Sequence, residues 1–115
     1  GHPTGRLLLR REPYNINIDE LIESAATHGV ALEINSQPQR RDLNDVYAKR
    51  ARDRGVKLVI STDAHAPDQF HILDWGLLVA RRAWLEPSDI LNTQPITELL
   101  ASLRRNKHST RKEDR

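Results

Sequence analysis

The stretch NIDELIESAATHGVALEIN, residues 17–35, decides the fold class because a complete helix signal is followed directly by a strand signal. Asn17 is a good N-cap, and Glu20 stands three residues later, at the spacing of a capping box. Apolar residues then recur on one helical face up to Gly29, a residue type that commonly ends helices. Residues 30–35 have the apolar character of a strand. The segment therefore predicts one αβ unit.

The same order of signals recurs in DLNDVYAKRARDRGVKLVIS, residues 42–61. Asp42 is the expected cap, a helix is predicted near residues 43–54, and Gly55 separates it from a strand over residues 56–61. Two successive αβ units predict parallel strands with crossover helices, and hence an α/β fold. Ligands of such folds bind beyond the carboxyl ends of the strands, so functional residues are expected there.

Shorter signals follow the second strand. A short helix is predicted over residues 67–73, a further segment over 75–85 and a capped helical turn over 88–91. An i, i+3, i+4, i+7 pattern then predicts a final amphipathic helix from Ile96 to about Arg105. Because two strands alone leave sheet edges open and apolar faces uncovered, the chain is expected to be the end of a larger α/β domain.

Composition narrows the class of protein. A length of 115 residues fits one domain, and a hydrophobic share of 37% with a charged share of 30% indicates much polar surface. No apolar run is long enough to span a bilayer and no signal-peptide pattern is present, so a cytoplasmic location is predicted, without a membrane partner. The net charge is +2. Residues 106–115 are predicted to be a disordered basic tail, with attraction of phosphate backbones as the alternative.

The second predicted strand is followed directly by Thr62-Asp63-Ala64-His65. In an extended backbone, residues i and i+2 project to the same side, so Asp63 and His65 can face one ion. The sequence contains no cysteine, which leaves nitrogen and oxygen ligands. Imidazole and carboxylate suit Mn, Zn or Fe, and the residue types do not choose among them. The pair predicts a metal site at the end of this strand.

Six motifs occur in an order that is more specific than any one of them. They are Gly1-His2-Pro3-Thr4-Gly5-Arg6, Ala31-Leu32-Glu33-Ile34-Asn35, Arg40 with Asp42-Leu43-Asn44, Ser61-Thr62-Asp63-Ala64-His65, Ala80-Arg81-Arg82-Ala83-Trp84-Leu85 and Leu91-Asn92-Thr93. Together they resemble the C-terminal part of the polymerase and histidinol phosphatase (PHP) domain, in the version attached to bacterial and archaeal family X DNA polymerases. The resemblance covers residues 1–105.

The resemblance implies an α/β fold that is the C-terminal portion of a distorted (β/α)7 barrel, with divalent metals at the carboxyl ends of its parallel strands. By the family's motifs, His2, Asp63 and His65 are metal ligands, and Asp63 and His65 are the expected catalytic residues. The family's amino-terminal His-x-His motif and middle ligands have no counterpart in this chain. We therefore expect the chain to supply part of the ligand set, with Mn, Zn or Fe as cofactor, and to be inactive alone.

Three polar residues near the expected site are candidates for substrate binding: Arg6, Asn35 and Arg40. The forked donors of the two arginines fit phosphate oxygens, but either arginine could instead pair with Glu12 or Asp42, and both interpretations stay open. Asn35 stands at the end of a strand, where a pocket is expected.

The site residues also have structural interpretations. Gly1-His2 is typical of an expression-tag remnant, but the motif that continues through Arg6 favours a native ligand. His65 alone fits an ordinary helix start, and its neighbour Asp63 favours a ligand. Glu33 alternates with apolar strand residues, and because a buried carboxylate needs a partner, a structural pair is favoured.

Three functions are compatible with the resemblance. The first is the metal-dependent phosphoesterase and 3′–5′ exonuclease of a DNA repair polymerase, with DNA as partner of the intact protein. The second is a stand-alone phosphatase of small esters such as histidinol phosphate, since one fold hosts several activities. The third is a non-catalytic domain that stabilises a polymerase or docks DNA. The Ala80–Leu85 and Leu91–Thr93 motifs favour the polymerase version.

Overall fold

The computed structural model describes residues 1–103, in which helices alternate with the strands of a parallel sheet. The main elements are α1 (Ile18–His28), β1 (Leu32–Asn35), α2 (Asp45–Asp53), β2 (Leu58–Ser61) and α3 (Leu73–Arg82). Short 3-10 helices cover Pro67–Ile72, Pro87–Asp89 and Leu91–Thr93, and residues 96–103 are helical. The predicted tail and the predicted helix end at Arg105 lie outside the described residues.

The first αβ unit forms as its caps predict. The Asn17 side chain accepts the backbone N–H of Glu20 at 3.2 Å, and Gly29 ends α1 in the left-handed conformation with φ 64°. β1 begins at Leu32, two residues later than predicted, because the N–H of Val30 is used by the end of α1: it donates to Ala25 O at 2.9 Å. In the same way, the N–H of Val56, which follows Gly55, donates to Ala51 O at the end of α2.

The start of α2 differs from the prediction. Its N-cap is Asn44, whose side chain accepts the N–H of Tyr47 at 2.9 Å, and the helix begins at Asp45. Asp42 is therefore not the cap. It is fully buried, and its carboxylate accepts the backbone amides of Thr4 and Gly5 instead.

The two strands are parallel, with Leu32 opposite Leu58 and Asn35 opposite Ser61. The predicted α/β class with parallel strands is confirmed. The described residues contain two paired strands, and a seven-stranded barrel stays a prediction from the family resemblance. Helices α1, α2 and α3 pack around the sheet over a continuous apolar core. Its most buried members include Ile22, Ile34, Leu43, Ala48, Ala51 and Leu58.

Helix α3 covers most of the segment predicted over residues 75–85. It passes so close to the sheet that a Cβ added at Gly76 would lie 2.2 Å from Ser36 Oγ and 2.5 Å from Ile60 Cγ2. The close approach buries Val79 and Ala80 against the sheet. Gly76 thus sets the distance between helix and sheet.

The outer edge of β2 is covered by the Leu91-Asn92-Thr93 motif. Asn92 Oδ1 accepts the N–H of Ile60 and Asn92 Nδ2 donates to Ile60 O, both at 2.8 Å. A parallel bridge between Leu58 and Ile90 precedes this contact. The side-chain amide of Asn92 thereby takes the place of a neighbouring strand's peptide group.

The helices are short and carry polar faces. Among residues 1–103, the structure contains no helix that is long and apolar enough to cross a membrane.

Candidate metal centre

Side chains from both strands meet where the strands end. Asn35 is 1% exposed, and its Nδ2 donates to Asp63 Oδ2 at 3.1 Å. The next turn adds Gln37, whose Nε2 donates to Thr62 O at 2.9 Å and to Asp63 O at 3.1 Å. The segment after β2 is therefore bonded to the segment after β1, and the Asp63 carboxylate is oriented by a buried amide.

The backbone at Asp63 is not extended, which corrects the basis on which the site was predicted. β2 ends at Ser61, and Asp63 has φ 51°, in the left-handed region that Asp tolerates better than most residues. Gln37 donates to the carbonyls of Thr62 and Asp63, which a longer β2 would instead present to a neighbouring strand. Strand alternation therefore does not place Asp63 and His65, and their arrangement comes from this turn.

His65 is held by the same turn. Its Nδ1 lies 2.8 Å from Asp63 O, and its backbone N–H donates to Gln69 Oε1 at 2.9 Å. Because a carbonyl oxygen only accepts, this contact assigns a proton to Nδ1 and leaves Nε2 as the ring nitrogen that can bind an ion. An Nδ1–H bonded to a carbonyl is the usual outer contact of a metal-binding histidine. His65 is exposed, so Nε2 is accessible.

The hydrogen bond between Nδ1 and a carbonyl does not by itself identify a histidine as a metal ligand. His28 Nδ1 lies 2.8 Å from Ser24 O at the end of α1, and His71 Nδ1 lies 2.5 Å from Asp68 O. These two histidines have the same local contact, at the end of α1 and in the 3-10 helix Pro67–Ile72. What distinguishes His65 is its position beside Asp63.

The predicted ligand His2 is linked to the strands by Glu33. The Glu33 carboxylate accepts the backbone N–H of His2 through one oxygen and the hydroxyl of Ser61 through the other. This gives Glu33 the structural partners that its strand position requires. The loop that carries His2 is thereby bonded through Glu33 to β1 and to Ser61, the last residue of β2.

Asp42 holds the other end of that loop. Its Oδ2 accepts the N–H groups of Thr4 and Gly5, each at 3.0 Å. Its backbone pairs with Asn35 in an antiparallel bridge. One buried residue therefore contacts both the His2 loop and the strand residue that orients Asp63.

The side chains are only partly assembled into a metal site. Within the described part of the chain, no three His, Asp or Glu side chains lie close enough together to hold an ion. Their donor chemistry nevertheless fits a divalent ion. His65 presents Nε2, and Asp63 has one oxygen held by Asn35 and a second carboxylate oxygen without a hydrogen bond in residues 1–103.

The predicted substrate residues Arg6 and Arg40 do not pair with Glu12 or Asp42 in residues 1–103. Arg6 donates to the carbonyls of Arg40 and Arg41, at 2.8 and 2.6 Å. Arg40 Nη1 donates to Arg6 O at 3.4 Å. Both arginines therefore keep their charge without a carboxylate partner there, and their role in substrate binding stays a prediction.

Three residues that organise the site were missed as such from the sequence: Gln37, Asp42 and Gln69. Gln37 and Asp42 act through contacts with distant segments of the chain, and Gln69 accepts the N–H of His65 four residues earlier. The sequence does contain one indication for Asp42. Asn44, two residues later, is also a residue type that caps helices, so Asp42 is not needed as the cap and can have another role.

Comparisons with known proteins agree with the resemblance. No protein-family model matches the chain. The "DNA polymerase/3'-5' exonuclease PolX" of Bacillus subtilis is 43% identical over 105 residues, which is 91% of this chain and 18% of that relative. Proteins named "Probable phosphatase" from Thermoanaerobacter sp. and Thermoanaerobacter pseudethanolicus are each 27% identical over 99 residues, 81% of this chain and 38% of theirs.

The chain thus spans less than two fifths of the length of each of these relatives. The similarity to PolX extends over nearly the whole chain, as the six motifs do. The predicted resemblance is confirmed: the chain is similar to a fragment of PolX, in its PHP region.

Proposed function

We propose that the chain forms one side of the metal centre of a phosphoesterase that removes nucleotides from the 3′ ends of DNA, within a family X repair polymerase. The observation that carries this proposal is the joined arrangement of Asp63, His65 and the His2 loop at the strand ends. Asn35 orients the carboxylate of Asp63, and Glu33 bonds the His2 loop to the same edge. The 43% identity to a polymerase and exonuclease supports it.

The residue types fit phosphodiester hydrolysis. A phosphodiester is negatively charged and repels hydroxide, and divalent Mn, Zn or Fe supplies an activated water at neutral pH and offsets the developing charge. His65 Nε2 and the imidazole of His2 would hold such ions at separate corners. Asp63 would hold one ion and position the attacking water, with its orientation fixed by Asn35. Asp63 and His65 are accordingly the proposed catalytic residues.

The experiment that tests this function uses the full polypeptide that carries the chain. Asp63→Asn removes the charge and keeps the shape, and we expect Mn-dependent removal of nucleotides from a 5′-labelled oligonucleotide to fall at least about 100-fold. Asp53→Asn is the matched control, because Asp53 is an exposed carboxylate on α2 paired with Lys49. An undiminished rate for Asp63→Asn would show that the assignment is wrong.

A second candidate function is hydrolysis of small phosphate monoesters, such as histidinol phosphate. It is favoured by the similarity to two proteins named as probable phosphatases. Rates on p-nitrophenyl phosphate and on single-stranded DNA separate the two functions. A monoesterase is expected to hydrolyse the small ester and leave the oligonucleotide intact.

A non-catalytic structural domain is the third candidate, and metal binding separates it from both enzymes. No bindable divalent ion in the full polypeptide would favour the structural role. We further propose that the 115-residue chain is inactive by itself, because its described residues do not complete a three-ligand site. Metal-dependent nuclease activity of the purified chain alone would contradict this proposal.

A further inference from the structure

Two turns beside the His2 loop touch each other and together carry five arginines. The first turn covers residues 5–11 and the second covers residues 37–41. Leu8 N donates to Gln39 O at 2.7 Å, which joins the two turns through their backbones. We name the set the arginine face; its members are Arg6, Arg10, Arg11, Arg40 and Arg41.

The arginine face has no carboxylate partners in residues 1–103, unlike four arginines in or next to α2 and α3. Ion pairs bind Arg50 to Asp19, Arg52 to Asp89, Arg54 to Glu23 and Arg82 to Asp45. The acids nearest in sequence to the arginine face do not neutralise it by pairing. Glu12 is exposed and forms no ion pair in the described chain, and the carboxylate of Asp42 is buried against backbone amides. The two turns therefore carry five guanidinium charges, and the carboxylates that line the same pockets are Glu12 and Asp45, of which Asp45 pairs with Arg82.

Backbone carbonyls hold several of these guanidinium groups in place. Arg11 donates twice to Gly5 O, at 3.1 and 2.8 Å, and Arg41 donates to Pro38 O at 3.1 Å. Arg6 donates to the carbonyls of the second turn. A carbonyl is neutral, so the charge remains, and each guanidinium keeps further N–H donors. Side chains ordered in advance lose less conformational entropy when a ligand binds.

The arginine face borders the candidate metal centre. Its first turn follows directly from the loop that carries His2. Its second turn begins at Gln37, which donates to the carbonyls of Thr62 and Asp63. A polyanion lying across the two turns would therefore extend from the strand ends where hydrolysis is proposed.

We propose that the arginine face binds the phosphate backbone of the DNA strand whose 3′ end enters the candidate metal centre. Fixed guanidinium forks match phosphate oxygens, and a series of them on one surface matches the regularly spaced charges of a nucleic acid. This assignment rests on the proposed function, which makes DNA rather than an acidic protein the partner that must reach the site. It adds Arg10, Arg11 and Arg41 to the substrate contacts.

The test measures binding separately from hydrolysis, in the full polypeptide. The variant Arg10→Gln with Arg41→Gln is compared with Arg50→Gln with Arg54→Gln, which removes the same charge from the ion-paired face of α2. Fluorescence anisotropy with a labelled single-stranded oligonucleotide, in EDTA, gives the Kd from about 50 to about 200 mM salt. The rate of hydrolysis of bis(p-nitrophenyl) phosphate with Mn measures the activity of the metal centre on a substrate that has no DNA backbone.

We expect the Arg10/Arg41 variant to bind DNA roughly tenfold more weakly. The slope of log K against log salt should shrink by about 0.7 for each phosphate that the variant no longer neutralises. The control pair should bind like the parent protein, and its hydrolysis of the small diester should be unchanged. Arg10→Gln alone keeps the test readable if the double variant misfolds, because the Arg10 side chain forms no hydrogen bond or ion pair within residues 1–103.

Three results would overturn the proposal or separate it from the proposed function. Parent-like affinity and salt slope in the Arg10/Arg41 variant would overturn it. An equal weakening of binding to polyglutamate and to DNA would also overturn it, in favour of an acidic protein partner. Absence of diester hydrolysis in the parent protein would contradict the proposed function, and the anisotropy measurement would still decide whether the arginine face binds DNA.

Discussion

The buried carboxylate of Asp42 accepts the backbone amide of Gly5 at 3.0 Å, across 37 positions of sequence. The same oxygen accepts the amide of Thr4, so one side chain bonds to two successive N–H groups of the His2 loop, and the second of these also donates to His2 O at 2.9 Å. Since Asp42 also pairs through its backbone with Asn35, the position of the loop and the orientation of Asp63 share a common support.

Replacement of Asp42 by Ala is therefore expected to destabilise the protein by about 2 kcal/mol, because it leaves the buried N–H of Thr4 without an acceptor and the N–H of Gly5 with His2 O alone. Urea unfolding measures the change in the free energy of unfolding. Asp45→Ala is the control, since Asp45 forms an ion pair with the exposed Arg82 side chain and should cost less than about 1 kcal/mol. Equal destabilisation by the two variants would refute a special role for Asp42.

Asn92→Asp tests the pairing of the Asn92 side chain with the edge of β2. A carboxylate can still accept the N–H of Ile60, but it cannot donate to Ile60 O and would repel it, so we expect destabilisation by about 2 kcal/mol. Asn17→Asp tests the same chemical change at a helix N-cap, where the two residue types are nearly equivalent. Urea unfolding should show almost no change for Asn17→Asp, and a similarly small effect at Asn92 would contradict the pairing.

Gly76→Ala should destabilise the protein although alanine favours helices. The added Cβ would clash with Ser36 Oγ and Ile60 Cγ2, and forced overpacking costs about 1–3 kcal/mol, more than the gain of about 1 kcal/mol in helix propensity. Thermal unfolding measures the net change. Adding Ser36→Gly removes the nearest clashing atom and should restore part of the stability. Higher stability of the single variant would show that α3 has room to move away.

The Asp45–Arg82 pair predicts a small pH dependence. The Arg82 hydrogen bond holds the pKa of the Asp45 carboxyl below its usual value of 3.8. A lowered pKa stabilises the folded state above the unfolded pKa, and the contribution disappears as pH falls through the folded value. Because the Arg82 side chain is 75% exposed, Arg82→Gln should cost no more than about 0.5 kcal/mol at pH 7.

The pH dependence is checked by urea unfolding of Arg82→Gln and the parent protein from pH 7 down to the acid limit of folding. The difference between them should be constant at neutral pH and vanish below the pKa of Asp45. A difference in the free energy of unfolding that grows as the pH falls would contradict a lowered pKa of Asp45.

Local signals predicted the repeated αβ units. Asn17 and Gly29 bond to groups a few residues away, so their roles follow from the adjacent sequence. The strands began later than predicted because the Gly-Val pairs complete the preceding helices. Asp42, Asn92 and Gln37 could not be assigned from pattern, since each bonds to backbone at least 25 positions away.

The candidate site was predicted for a reason that the structure corrects in part. Residue types and family motifs selected Asp63 and His65, and these residues do lie at the strand ends. The expected extended backbone is absent there, because Gln37 holds a left-handed turn at Asp63. Long-range hydrogen bonds, rather than the two-residue period of a strand, fix the geometry.

The metal content of the full polypeptide tests the central claim most directly. After dialysis against Mn, Asp63→Asn and His65→Gln should each retain fewer bound ions per chain, or bind them at least about 10-fold more weakly, than the parent protein. His28→Gln should bind like the parent protein, because His28 makes the same Nδ1–H bond to a carbonyl away from the site. Parent-like metal content and affinity in both Asp63→Asn and His65→Gln would contradict the account.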